Sequence, residues 1–390
     1  MPIDFTNTNL VWTSILAETL HRLGLKTAVI CPGSRSAPLA IAFANHAQIE
    51  AIPVLDERSA SFFALGLACR QKHPVVLVCT SGTAGANFYP AVIEARESRI
   101  PLIVMTADRP PELRDCNAGQ AIDQHKLYGT FPTWQAEVAL PSLDPIMLAY
   151  LRQVTIQAWE HAQYPVAGPV HLNLPFRDPL APISEPQAQA QKLTFNTKEF
   201  FQSVQSFVAN STGAIAQLSI TADQLPLAEW QASRQGVIVA GPAKPKEAER
   251  YCRAIAQLSD TLGYPVFAEG LSPLRNYADE NPNLISTYDL ILRNPALAQK
   301  LAPKTVIRIG EMPTSKQLRN WLASTQPRQW VIDPNGRNLD PLHGNTTHIS
   351  LTVETLAALI PVESAANSPY LDLWRDVEHQ TRQAIAQTMI

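Results

Sequence analysis

Apolar side chains recur at helical spacing from Asn9 to Leu23 (Leu10, Ile15, Leu16, Leu20, Leu23), behind polar capping candidates and ahead of Gly24. That period, closed by a glycine, predicts a first amphipathic helix. The following stretch holds four short apolar runs: TAVIC at 27–31, AIPVL at 51–55, PVVLVC at 74–79 and PLIVMTA at 101–107. Helical stretches begin between them, near Ser36, Glu57 and Ala84. Strands that alternate with helices need crossover connections, which are right-handed and make the sheet parallel. A further helix over roughly 146–162 leads to one more strand-like run, PVHLNLP at 169–175.

Residues 179–194 are rich in Pro, Gln and Ala without periodicity, which predicts a linker. A second alternating series follows, with GVIVAG, PVFAEG, TVIRIG and QWVID as strands and helices over 247–262 and 316–323. From Tyr370 another amphipathic pattern (Leu371, Trp374, Val377, Ile385) runs on with no glycine cap or proline stop. The expectation is an α/β chain of two parallel-sheet domains: a first over 1–180, a linker over 181–212, a smaller Rossmann-like domain over 213–365, and the start of a further domain over 366–390.

Composition narrows the function. With 390 residues, 46% of them hydrophobic, the chain can bury a sizeable core. Thirty-one basic against 34 acidic residues leave a net charge of -3, which offers no bulk field to nucleic acid or an anionic membrane. An anionic ligand must therefore be held by local arginines. Five scattered cysteines without a CxxC pair point to a reducing cytoplasm. The start, MPIDFTNTNLVW, has neither the basic nor the apolar segment of an export signal, and no apolar run approaches the ~20 residues of a membrane span. The histidines and cysteines show no metal-ligand spacing, so no metal site is expected in this chain.

In an open parallel sheet, ligands bind outside the carboxyl ends of the strands, so the strand-to-helix turns carry the candidate chemistry. Pro32 and Gly33 precede Ser34 and Arg35, forming either an anion site or a serine cap beside a solvated arginine. DERS at 56–59 puts two carboxylates where acidic residues also oppose a helix dipole. TSGTAGAN at 80–87 (Thr80, Ser81, Gly82, Thr83, then Asn87) either cradles a phosphate or makes a capped tight turn. In TADRPPE at 106–112, Arg109 is either a carboxylate clamp or the partner of Asp108. Gln120, Asp123, Gln124 and His125 are candidates to line the same cleft. IDPNG at 332–336 is similar to a ribose-binding acid but lacks an upstream GxGxxG, and reads as a plain turn.

Taken in order, CPGSRSAPL, LDERSASFFALGLA, TSGTAGANFYPAVIEA and PLIVMTADRPPELRDC resemble the pyrimidine-binding domain of the 2-succinyl-5-enolpyruvyl-6-hydroxy-3-cyclohexene-1-carboxylate (SEPHCHC) synthases, the MenD family. The resemblance continues through NLPFRDPL and GVIVAGP into RIGEMPTSKQLRNWL and VIDPNG. It implies a pyrimidine-binding domain followed by a transhydrogenase-like middle domain, with thiamine diphosphate and Mg2+ as cofactors. The implied reaction, on the path to menaquinone or phylloquinone, decarboxylates 2-oxoglutarate and adds the succinyl carbanion equivalent to isochorismate in a 1,4 sense. Glu57 is implied as the catalytic glutamate at N1' of the aminopyrimidine. Pro32, Gly33, Thr80, Ser81, Gly82, Thr83 and Asn87 would lie along the cofactor; Ser34, Arg35, Arg109 and Gln120 would face the substrates.

Two departures stand beside the resemblance. Asn117, Ala118 and Gly119 precede Gln120, so an asparagine contact at 119 is lost. The family's third domain, with its diphosphate and magnesium ligands, is expected to be absent from the chain. The family also implies a homo-oligomer with the active site between subunits. The alternative is a non-catalytic or regulatory metabolite-binding remnant.

Overall fold

Val75–Cys79 is buried at every position and has no polar face, so it must lie inside a sheet covered on both sides. It is the third of six parallel strands in the computed structural model, which describes residues 3–202, 204, 222–335, 338–361 and 368–388. The strands are β1 (Thr27–Ile30), β2 (Glu50–Pro53), β3 (Val75–Cys79), β4 (Leu102–Asp108), β5 (Trp134–Glu137) and β6 (Pro169–Pro175), in the order β2-β1-β3-β4-β6-β5. Helices α1 (Thr8–Leu23), α2 (Ala37–Ala44) and α6 (Pro145–His161) cover one face. On the other face lie α3 (Glu57–Gln71) and α5 (Tyr89–Glu97), with the short α4 (Thr83–Ala86) ahead of α5.

The chain leaves β1 toward β2 on one side and resumes at β3 on the other. That reversal opens a crevice at the carboxyl ends of β1 and β3, where the turns at 31–36 and 80–83 emerge.

The chain divides into two compact units, Met1–Ala214 and Ile215–Ile390. The second holds β7 (Gly236–Ala240), β8 (Val266–Ala268), β9 (Thr305–Ile309), β10 (Arg328–Ile332) and β11 (Thr346–Ile349), all parallel, in the order β11-β10-β9-β7-β8. This is the doubly wound arrangement, so the α/β parallel-sheet class is as expected in both units. The helices after α6 are α7 (Pro186–Gln191) and α8 (Thr197–Phe200) in the first unit, then α9 (Leu227–Ala232), α10 (Ala248–Leu262), α11 (Tyr288–Ile291), α12 (Pro295–Lys300), α13 (Lys316–Thr325), α14 (Val353–Leu359) and α15 (Pro369–Thr388) in the second.

Three expectations need correction. The span 181–212 is not a loose linker over its described part: two short helices form there, and Ala188, Phe201 and Val204 are buried in the first unit's core. Residues 366–390 do not open a separate domain over their described part. Tyr370, Trp374 and Val377 of α15 pack with Phe267, Tyr288 and Trp321 in the second unit's core. The helix expected from Ala84 is broken, because Asn87 and Phe88 separate α4 from α5 and Pro90 starts the second helix afresh.

Candidate active site

Each crevice turn is shaped by its neighbour. A Cβ on Gly33 would stand 2.4 Å from the Cβ of Thr80, so only glycine lets these two turns touch. Gly82 takes a φ of +79°, open to glycine at little strain, and a Cβ there would meet the Cγ of Gln120 at 2.8 Å.

Arg35 is buried, not solvated. Its Nη1 donates to the carbonyl of Phe176 at 2.9 Å and lies 3.9 Å from the Asp178 carboxylate. Its Nε is buried with no hydrogen-bond partner among the described residues. Burial, then the nearby positive charge of Arg109, holds the Arg35 guanidinium below its ordinary pKa. A buried cation with an orphaned donor is one that an anion would satisfy.

Arg109 does not pair with Asp108. Its guanidinium donates to the Gly119 carbonyl at 2.7 and 3.1 Å, and to the Ser81 hydroxyl at 3.4 Å. Asp108 instead meets Arg114 at 3.0 Å, and Arg114 reaches Glu137 at 2.8 Å. Gln120, exposed and at a φ of +58°, donates to the Ser81 carbonyl at 2.9 Å. The Gly119 carbonyl thus receives Arg109 at the position where the asparagine contact is lost.

Glu57 begins α3 behind Asp56, whose carboxylate caps the helix by accepting the Ser59 amide at 2.8 Å. The Glu57 carboxylate is partly buried and has no hydrogen-bond partner among the described residues. It lies close enough to the buried thiols of Cys31 and Cys79, at the ends of β1 and β3, to raise both. Burial is the larger cause and pushes Cys31 up to about 12. Ser34 and Thr83 are exposed at the crevice, whereas the Asn87 amide turns to the Thr83 carbonyl at 3.1 Å.

Beneath the crevice lies a row of buried polar side chains that the sequence reading missed: Thr106, His171 and Asn173, joined by Asp108 and Gln124. The missed signal was alternation, since the two polar residues of PVHLNLP, 171 and 173, share one face of β6. Among the described residues, no group of three or more His, Cys, Asp or Glu side chains is placed to hold a metal ion. None of the described helices is long and apolar enough to cross a membrane.

Residues 12–127 match the thiamine pyrophosphate enzyme N-terminal TPP binding domain, and residues 194–390 match the middle domain of thiamine pyrophosphate enzymes. The chain belongs to the thiamine pyrophosphate enzymes. Among this family it is 58% identical over its whole length to the 2-succinyl-5-enolpyruvyl-6-hydroxy-3-cyclohexene-1-carboxylate synthase of Gloeothece citriformis, and 56% identical to that of Acaryochloris marina. It spans 66% of the length of each. Among solved structures, benzoylformate decarboxylase from Polynucleobacter necessarius aligns over 92% of this chain and 62% of its own, with a TM-score of 0.62 at 17% identity. At that identity the likeness extends to the fold alone.

Proposed function

We propose that this chain supplies the pyrimidine-binding and middle domains of a SEPHCHC synthase, acting on 2-oxoglutarate and isochorismate. The observation that carries this reading is that two arginines, Arg35 and Arg109, stand near enough to act on each other at the carboxyl ends of one parallel sheet, where the Glu57 carboxylate also opens α3. Both substrates are dicarboxylates, and a chain without bulk positive charge needs local guanidinium groups to hold them. Relatives of 54–58% identity bearing that synthase name support the choice of substrates and do not favour a non-catalytic remnant.

The residues suit the pyrimidine end of thiamine diphosphate. Gly33 and Gly82 stand where a Cβ would close the turns, and Thr80 to Thr83 present backbone and hydroxyl groups around them. Bound there, the cofactor supplies the electron sink for loss of carbon dioxide from a 2-oxo acid. Glu57 would hold or share a proton at a nitrogen of the bound pyrimidine ring. Arg35, with its free Nε, and Arg109 orient substrate carboxylates, while Ser34 and Gln120 add polar contacts at the rim. Pro32, exposed beside Gly33, and Asn87, whose amide holds the Thr83 carbonyl, would lie along the cofactor as well. Magnesium and the diphosphate require further oxygen ligands beyond these. The proposal extends to a cytoplasmic homo-oligomer whose active site lies between subunits.

The test is turnover of 2-oxoglutarate with isochorismate, in the presence of thiamine diphosphate and magnesium, by the full-length protein that carries this chain and by its Glu57→Gln variant. Carbon dioxide release with formation of the coupled product, falling by about 10²–10⁴ in the variant, supports the reading. Equal turnover by the variant, or none by the native protein, overturns it.

A further inference from the structure

Gln124 is only 1% exposed, beneath the turn at Ser81 and Gly82. Its Oε1 accepts the Gly82 amide at 2.8 Å, and its Nε2 donates to Asn173 Oδ1 at 2.9 Å and to the Ala107 carbonyl at 3.2 Å. Asn173 Nδ2 in turn donates to Asp108 Oδ2 at 2.8 Å, and Asp108 Oδ1 accepts the Arg109 amide at 2.7 Å. Four hydrogen bonds therefore run without a break from the backbone of Gly82 to the backbone of Arg109.

The direction of each bond is forced. The Gly82 amide can only donate, so Gln124 turns its oxygen to Gly82 and its nitrogen to Asn173 and the Ala107 carbonyl. Asn173 must then present its oxygen to Gln124 and its nitrogen to the Asp108 carboxylate. Thr106, 2.9 Å from that same Asn173 oxygen, gives it its one hydroxyl proton and accepts from His171 Nε2 at 2.8 Å. A buried network in which every member has one allowed orientation specifies a single geometry.

We infer that Gln124 is a positioning residue that couples the Ser81–Gly82 turn to Arg109, so that the groups facing the cofactor and those facing the substrate carboxylate are set together. This rests on the proposed assignment of those turns to thiamine diphosphate and 2-oxoglutarate. Gln124 touches neither ligand; it acts through Gly82 at one end and Asn173 at the other.

Gln124→Met keeps the volume and removes all three of its hydrogen bonds, and Asn173→Leu cuts the same chain at its middle. In the full-length protein, each variant is expected to raise the thiamine diphosphate Kd and the KM for 2-oxoglutarate together, by about tenfold, with the larger effect there rather than in kcat. The double variant is expected to be no worse than the poorer single one, because both cut one chain. A change in only one of the two constants, or effects that multiply in the double variant, overturns the coupling; a uniform loss of stability with both constants unchanged does so too. Amide hydrogen exchange in the unliganded protein gives a second readout, independent of turnover: Gln124→Met should accelerate exchange at both Gly82 and Arg109, and acceleration at Gly82 alone sinks the inference. If the native protein neither binds thiamine diphosphate nor consumes 2-oxoglutarate, the functional reading fails, and the exchange result still decides whether the two turns are coupled.

Discussion

Gly33 and Thr80 touch across the crevice between β1 and β3 so closely that a Cβ on the glycine would lie 2.4 Å from that of the threonine. The clash involves atoms one bond from each backbone, so rotamer changes cannot relieve it. Gly33→Ala is therefore expected to separate the two turns and cost about 1–3 kcal/mol in urea unfolding, with weaker cofactor binding. Gly66, inside α3, has nothing within 4 Å of its would-be Cβ, and Gly66→Ala is expected to stabilise by about 0.5–1 kcal/mol. Equal effects at the two glycines would refute the close approach.

His171 reports the same region through acid stability. Burial, followed by the charge of His125, lowers its pKa from 6.5 to about 3 in the folded chain. Between those values the unfolded chain binds a proton that the native chain does not. Stability from this group is thus complete above about pH 6.5 and lost as pH falls toward 3, by about 1.4 kcal/mol per unit at most. A His171→Asn variant loses that slope, so the stability gap between native and variant proteins should narrow steadily below pH 6.5. A gap independent of pH would mean that His171 is not held neutral.

Much of this architecture was legible in the sequence because continuous apolar runs such as VVLVC have only one place to go in a parallel sheet. The turns at 31–36, 80–87 and 106–112 could be located for the same reason, since they follow those strands. What could not be read was which partner each polar group takes. Arg109 and Asp108 are adjacent in sequence, yet the ion pair forms between Asp108 and Arg114, and Arg109 turns to Gly119. Gln124 stood among exposed polar residues and gave no sign of burial. An amphipathic period likewise says that α15 buries a face, but not against which core. Edge strands β5 and β11 escaped notice because their partly exposed residues, WQAE and TTHI, carry no apolar run.

Glu378 fastens α15 to its unit. Its carboxylate accepts the amide and hydroxyl of Ser286 at 3.1 and 2.8 Å, those of Thr287 at 3.0 and 2.5 Å, and Arg382 Nε at 2.7 Å. Burial alone would raise its pKa, but donors from Thr287, Arg382 and Ser286 overcome that and hold it low. Glu378→Ala leaves those donors without their charged acceptor and is expected to cost about 1.5–3 kcal/mol. Hydrogen exchange across 369–388 should accelerate ahead of the rest of the chain. Uniform exchange throughout would show that the helix is held by its apolar face alone.

Helix α3 carries Glu57 in its first turn and presents Phe62 and Phe63 at 49% and 45% exposure one turn later, with Leu55 at 83% just before it. Adjacent exposed aromatic residues beside a candidate catalytic carboxylate suit a surface that another chain covers. If the proposed homo-oligomer closes the active site here, Phe62→Ser with Phe63→Ser should weaken self-association of the full-length protein at least about tenfold. Neither side chain is part of the buried core, so the unfolding midpoint of the dissociated chain should hardly move. Specific activity should then fall on dilution in the variant at concentrations where the native protein keeps it. Sedimentation velocity beside activity distinguishes the outcomes. A native protein that is monomeric and active when dilute removes the intersubunit site, and a variant that still associates fully places the interface elsewhere.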